Sequence, residues 1–353
     1  MMVARRANFL RLICVLVAYV DGYKNYPNPP IIDDSIFTRR TLDRERTTIH
    51  WPSAGPVPVQ KEIQLLKSGT LLRRGEWGQI QGSRELEVDL ICHELGLSFD
   101  QALSIRKQLL IHKVLKNSRK LKDERTFSKI KKRFEHRQSS LQEISTEYNL
   151  PPTSIFRAIL SDRVLDAHPH LTCQDRHRPA GRIVQSIISE NDQENIESFL
   201  SEWELSELQT AKENDIIGYT SNCTAAEDWE QTIYNYLDEQ GISYFSEESL
   251  KQQGFAAVGT PDCLLVDDFS INGRQIAWIE FKSYFASGLR ENSYFTKRGL
   301  SRQVEKYEAE FGSHGAVILK NGFSERISQK YPSTLFLDGG PLYPENEYNS
   351  LFP

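Results

Sequence analysis

With 353 residues the chain is long enough for about two domains and their linkers, and 39% hydrophobic with 10% aromatic residues can build ordinary soluble cores. A net charge of -5, from 43 Lys and Arg against 48 Asp and Glu, excludes a uniformly basic nucleic-acid coat and leaves local basic faces as the electrostatic route to phosphate. The sequence has no glycine-rich phosphate loop and no Gly-x-Ser-x-Gly, which argues against a P-loop ATPase and a nucleophile-elbow hydrolase.

Taken in chain order, residues 1–20 imitate a signal peptide, with Arg5-Arg6 ahead of an apolar run from Phe9 to Val20. Arg11 interrupts that run, no small-x-small cleavage site follows, and the run is too short to span a bilayer. The expectation is a start codon placed too early and no membrane association. Asn25 to Val59 is proline-rich with little periodicity, so a loosely ordered stretch is expected within an N-terminal extension over 1–80.

An all-α, helix-turn-helix-like region is predicted over 81–166. Leu141, Ile144 and Tyr148 line a first helix, Asn149-Leu150-Pro151-Pro152 makes the turn, and Ile155, Phe156, Ile159 and Leu160 face the core from a second. Ser154, Arg157, Ser161 and Arg163 are expected to point outward, toward a phosphate or a groove. A weaker copy runs from Glu85 to Ile105, turning at Leu95-Gly96-Leu97-Ser98. Between them, Arg106 to Arg137 holds thirteen Lys or Arg against three acids, on a helix or two. Within it Lys131-Lys132-Arg133 points to phosphate contact and would also serve nuclear import. Packed helices with a solvated charged face are the plain alternative.

Residues 167–214 read as a linker and an acidic helix. His168, His170, Cys173 and His177 are irregularly spaced, and without a Cys-x-x-Cys anywhere they favour a polar linker over zinc. The five cysteines (14, 92, 173, 223 and 263) are odd in number and scattered, as in a protein of reduced thiols. From Glu190 to Asp215 nine acids face Lys212 alone. Phe199, Leu200, Trp203 and Leu205 make that segment either a partner-docking helix or an ordinary amphipathic one.

From about residue 215 the pattern turns to mixed α/β. Glu227 to Gln240 reads as a helix, with Trp229, Ile233, Tyr236 and Leu237 at helical spacing and Glu230 beside them. Apolar runs Cys263–Val266 and Gln275–Phe281 flank Asn272-Gly273, a hairpin signal. Thr260-Pro261-Asp262 opens the first strand, and Glu280-Phe281-Lys282 closes the second, eighteen residues after the aspartate. Pairing brings Asp262 and Glu280 together; alternation puts Glu280 and Lys282 on one face and Phe281 on the other. Gly299 to Phe311 is a further helix, with Gln303 and Tyr307 stacked at i, i+4, and Gly315 to Leu319 a further strand. Two carboxylates and a lysine at one sheet edge suit Mg2+ or Mn2+ and a phosphate, because magnesium needs only one or two protein carboxylates. Lys282 would steady the nucleophile or the transition-state charge. Either motif alone is a common solvated strand end, Glu230 alone an exposed helix carboxylate and Gln303 a surface amide; across one hairpin they favour a site. Cys263 reads as a small hydrophobe.

Glu230, Asp262, Glu280-x-Lys282 and Gln303-x-x-x-Tyr307, in that order, resemble the PD-(D/E)xK nuclease superfamily with its RecB-like glutamine motif. More narrowly, Leu237 through Gly322 is similar to the TPD-motif nuclease family that partners codanin in animals. The shared pieces are Ser246-Glu247-Glu248-x-Leu250, Gly254-Phe255, Thr260-Pro261-Asp262, Trp278-Ile279-Glu280-x-Lys282, Phe311-Gly312 and Gly322-Phe323. This chain departs in the bulk of Phe281 and Tyr284 and in an insertion at Ala256 to Gly259. The resemblance implies an α/β restriction-endonuclease-like domain over 215–353, a mixed sheet flanked by helices. It implies a metal held by Asp262, Glu280 and the Phe281 carbonyl, supported by Glu230. Lys282 would orient the water or stabilise the pentacovalent phosphate, Gln303 would position the lysine or the substrate, and Tyr307 would contact nucleic acid. The implied activity is metal-dependent phosphodiester hydrolysis, on DNA sooner than RNA, in nucleus and cytoplasm. A scaffold of the same fold that cuts little and works with a codanin-like histone-handling partner is the alternative.

Overall fold

The computed structural model describes residues 47–168, 179–189, 193–217, 223–255, 259–289, 299–344 and 348. The helices are α1 (Val59–Lys67), α2 (Ser83–Leu95), α3 (Phe99–Asn117), α4 (Arg119–Lys122), α5 (Glu124–Glu135), α6 (Leu141–Tyr148), α7 (Pro152–Ala167), α8 (Pro179–Ile188), α9 (Gln193–Phe199), α10 (Glu202–Glu213), α11 (Cys223–Glu239), α12 (Glu247–Gln252), α13 (Ser301–Phe311) and α14 (Glu325–Lys330). The strands are β1 (Thr47–Ile49), β2 (Tyr244–Ser246), β3 (Cys263–Ile271), β4 (Arg274–Lys282), β5 (Gly315–Leu319) and β6 (Leu335–Asp338). They fall into a helical unit, 72–81 with 109–217, and an α/β unit, 47–71 with 82–108 and 223–348. The boundary crosses α3, whose residues to Gln108 go with the α/β unit.

In the helical unit, helix starts follow local capping chemistry. Ser140 with Glu143 and Ser201 with Glu204 form capping boxes that satisfy N-terminal N–H groups of α6 and α10. Asn149, left-handed at φ 55°, ends α6, and the prolines that follow start α7, so the helix–turn–helix stands where the sequence puts it. Ile130, Phe134, Ile144, Leu150, Ile155 and Ile159 lie in the shared core.

Two expectations about surfaces in this unit are corrected. Ser161 does not face outward: it is buried and donates to the Arg157 carbonyl. The cations meant for phosphate are mostly spent internally. Lys131 pairs with Asp162 at 2.6 Å, Arg163 with Glu204 at 2.6 Å and with Glu135, and Arg133 with Glu147. Arg157 donates to Gln185 and is held below its ordinary pKa by burial, with Asp215 opposing. Lys132 alone of the five is exposed. The basic run has few acids in sequence, but α6 and α7 bring carboxylates to Arg133 and Lys131. Likewise Phe199, Leu200, Trp203 and Leu205 pack on the unit's own core, with the Trp203 ring 4.9 Å from Phe134, which is the ordinary amphipathic alternative. Of the zinc-like group, His170, Cys173 and His177 lie outside the described residues.

The α/β unit is built on a mixed six-stranded sheet in the order β1-β3-β4-β5-β6, with β2 also pairing β3. β3 is antiparallel to β2 and β4; β4–β5, β5–β6 and β1–β3 are parallel. Asn272 and Gly273, both at positive φ (51° and 78°), make the tight turn that the Asn-Gly signal predicts. Side chains alternate between two cores. Ile279, Phe281, Ala316 and Ile318 pack with Trp229, Ile233 and Leu237 of α11, whereas Trp278, Val317 and Leu319 pack with Val304, Tyr307 and Phe311 of α13. Glycine is required at 315, where a Cβ would overlap the Trp278 indole.

The loosely ordered stretch expected over Asn25 to Val59 does not hold from residue 47 on. β1 joins the sheet beside β3, Trp51 is buried with its Nε1 donating to the Asp338 carbonyl, and Glu62 of α1 is wholly buried. Glu62 accepts from Ser287 Oγ at 2.5 Å and from the Gly288 N–H. On α3, Ser104 Oγ accepts from the Phe285 N–H and Gln108 Nε2 donates to the Phe285 carbonyl, a clasp from one helix face at i, i+4. Segments read as belonging to N-terminal regions therefore hold the stretch that leaves β4. Fully burying each large apolar side chain such as Trp51 or Leu65 contributes roughly 1.5–3 kcal/mol.

Candidate active site

The β3–β4 register pairs Cys263 with Ile279 and Leu264 with Trp278. Continued one residue outward, it sets Asp262 opposite Glu280, as the hairpin reading requires. Asp262 is fixed by its backbone and its side chain. Its carbonyl accepts from Tyr234 OH at 3.0 Å and from the Glu247 N–H at 3.1 Å, and its Oδ2 accepts from the Phe281 N–H at 2.5 Å. Tyr307 OH donates to the Thr260 carbonyl at 2.8 Å, tying α13 to the turn that carries Asp262.

Glu280 is 2% exposed, and its Oε1 is paired with the Lys282 ammonium. Its Oε2 is buried with no hydrogen-bond donor. The Tyr307 hydroxyl lies within hydrogen-bonding range of the Glu280 carboxylate as well, but its single proton is directed to the Thr260 carbonyl at 2.8 Å. An ionised oxygen buried without a donor is costly, and such an atom is where a cation fits.

The electrostatics agree with crowded carboxylates. Burial first, then the charge of Glu280, pushes Asp262 well above the ordinary carboxylate range, while Lys282 opposes the rise. Glu230 on α11 is likewise raised, by burial first, with Lys282 lowering and Glu247 and Glu280 raising. It therefore lies within range of the site's charges. Burial disfavours the charged Lys282, yet Glu280 and Asp262 outweigh it and raise its pKa, so this lysine stays protonated at neutral pH. Tyr307 is raised by burial and by the two acids.

The structure thus brings together Asp262, Glu280, Lys282, Glu230 and Tyr307. Gln303 lies one turn before Tyr307 on α13, half-buried and without a hydrogen bond to the described residues. Tyr234 and Glu247 were missed as supports, although Tyr234 stands at i, i+4 from Glu230, a spacing the sequence displays. Cys263 is a fully buried free thiol, the small hydrophobe expected.

Among the described residues no three His, Cys, Asp or Glu side chains are grouped to hold a metal unaided. The donor set nonetheless fits a hard, mostly hydrated ion: the hairpin carboxylates, the orphaned Oε2 and a backbone carbonyl are all oxygen donors.

Residues 208–338 match the family model described as "Protein of unknown function TPD sequence-motif". The TPD match covers Asp262, Glu280, Lys282 and all of β2 to β6, and Thr260-Pro261-Asp262 is its eponymous tripeptide here. No curated protein and no solved structure matches the chain. No helix among the described residues is long and apolar enough to cross a membrane.

Proposed function

We propose that this chain is a metal-dependent nuclease that hydrolyses phosphodiester bonds at the end of the β3–β4 hairpin. One observation carries the reading: a wholly buried Glu280 whose free oxygen has no donor, set across from Asp262 and beside a protonated lysine. The helix–strand–hairpin–helix–strand order, from α11 to β5, is the arrangement that a PD-(D/E)xK nuclease would need. Asp262, Glu280 and the Phe281 carbonyl would hold Mg2+ or Mn2+, with Glu230 supporting. That ion supplies charge neutralisation at the phosphate and a more acidic water when bound.

The chain's own residues do the rest. Lys282, charged throughout the physiological range, cannot act as a base; it donates to the attacking water or to the phosphate oxygens as negative charge builds. Glu230, raised above the ordinary carboxylate value by burial first, supports the site from α11. Tyr307 and Tyr234 keep the Asp262 turn rigid, which limits the reorganisation each turnover requires. Gln303 positions the lysine or the substrate backbone.

The test is magnesium-dependent cleavage of labelled DNA and RNA substrates, wild type against Lys282→Met. The wild type should cut, DNA sooner than RNA, and the variant should lose at least about a hundredfold in rate. Equal rates would refute the assignment. Tight binding without cleavage by either would replace it with a nuclease-fold scaffold, and capture by a codanin-like partner would then be the measurement to make.

A further inference from the structure

We propose that Arg302 and Lys306 of α13 form a phosphate subsite for the nucleic-acid strand flanking the scissile bond, an inference that rests on the nuclease reading. The two cations stand at i, i+4, about 6 Å apart along the axis. Their helix is pinned to the Asp262 turn by the Tyr307–Thr260 hydrogen bond. Lys306 itself lies on that turn: a Cβ placed on Gly259 would fall 2.6 Å from Lys306 Nζ. Gly259, at φ +80°, lets bare backbone pass under the ammonium, two residues before the proline that precedes Asp262.

The charge pattern around the pair needs an anion. Glu305 accepts from Tyr331 OH, and Glu308 accepts from Ser333 Oγ at 2.5 Å and Thr334 Oγ1 at 2.8 Å, so these acids are directed to α14 and the loop before β6. Glu310 is near enough to act on Lys306 but forms no ion pair with it among the described residues. Burial and the neighbouring Arg302 together hold Lys306 below the usual lysine value. Like charges at i, i+4 repel, and among the described residues no carboxylate is ion-paired with either to relieve the repulsion. A phosphate bridging the two turns that repulsion into two charge-assisted hydrogen bonds. The contrast is with Lys131, Arg133 and Arg163, whose carboxylates are already in place.

The test uses the full chain in Ca2+, which permits binding while suppressing cleavage, with a fluorescein-labelled single-stranded DNA 24-mer over a range of salt. Arg302→Ala/Lys306→Ala should weaken binding at least about tenfold at 0.1 M salt. Its log Kd against log salt should flatten by about 1.4, two single-strand phosphates at about 0.7 each. Arg302→Lys/Lys306→Arg, which keeps both charges, should stay within about twofold of wild type in both quantities. An unchanged slope in the alanine variant, or no oligonucleotide binding by the wild type, overturns the subsite. Hydrolysis of bis(p-nitrophenyl) phosphate, too small to span to α13, separates this from failure of the nuclease reading. It should be unaffected by Arg302→Ala/Lys306→Ala and lost in Lys282→Met. A slope change without any hydrolysis by the wild type removes the nuclease and leaves Arg302 and Lys306 as a phosphate-binding pair with no scissile bond to flank. Slowed hydrolysis of the small ester by the alanine pair removes the subsite as assigned.

Discussion

Replacing Lys282 by Met keeps most of the stem's volume and removes only the ammonium, so it isolates one charge. In the native protein that ammonium is the ion-pair partner of Glu280, a carboxylate 2% exposed and otherwise without a donor on Oε2. Breaking a buried pair from one side typically costs about 3–5 kcal/mol, because a charge is left stranded. The Lys282 side chain is 18% exposed, so some water reaches the pair, and about 2–4 kcal/mol is expected at pH 7.5 in metal-free buffer. The loss must depend on pH. Asp262 is already raised by burial and by Glu280, and Lys282 is the group that restrains it. Without the lysine Asp262 rises further. A carboxylate raised in the folded state favours folding below its unfolded pKa, and that contribution disappears as pH climbs through the folded value. The variant should therefore recover stability relative to wild type between pH 7.5 and 5.0, by at most about 3.4 kcal/mol for one added proton. Added Mg2+ should also narrow the gap at pH 7.5, since a cation takes over the neutralisation. Urea unfolding of both proteins at the two pH values, with and without magnesium, reads all three quantities. A gap that is the same at both pH values and indifferent to magnesium would refute the electrostatic account of the site.

Other consequences are as open to measurement. Because Asp262 and Glu230 are both raised, chiefly by burial, the metal-free wild type should melt higher in mild acid than at neutrality, and Mg2+ should release protons as it binds. Calorimetric titration at pH 6 in two buffers of different ionisation enthalpy will show identical heats if that is wrong. Gly315→Ala forces a methyl into the Trp278 ring and should cost about 1–3 kcal/mol; a melting temperature equal to wild type would contradict the packing at β5. A fragment beginning at residue 215 lacks β1, Glu62, Ser104 and Gln108 and should fail to fold, whereas a cooperative melt of that fragment would show the N-terminal segments to be dispensable.

How far the fold was legible depended on the range of the interactions. The hairpin turn was readable because Asn272 and Gly273 carry their conformational preference locally, and α6 and α7 because Asn149 and the prolines do the same. The first strand was read too short. Asp267 and Asp268 break its apolar run, and they sit where the β3–β4 register shifts between Leu264 and Phe269. The division into units was the least legible feature. β1 has three residues, too few for any periodicity, and the partners of Glu62 and Ser104 lie 225 and 181 residues away. No local pattern announces such pairings.

The site was legible for a related reason. Asp262 and Glu280 are joined through a turn the sequence names, so alternation alone predicts their shared face, and Glu230 and Tyr307 follow from helical spacing around it. Charge was where linear reading failed. Counting cations along Arg106–Arg137 registers neither Asp162 nor Glu147, which pair with Lys131 and Arg133. On α13 only two cations stand together, fewer than any count would flag, yet Glu305 and Glu308 beside them are directed elsewhere. What marks a surface for phosphate is positive charge left uncompensated after folding, and a count of cations along the chain does not report it.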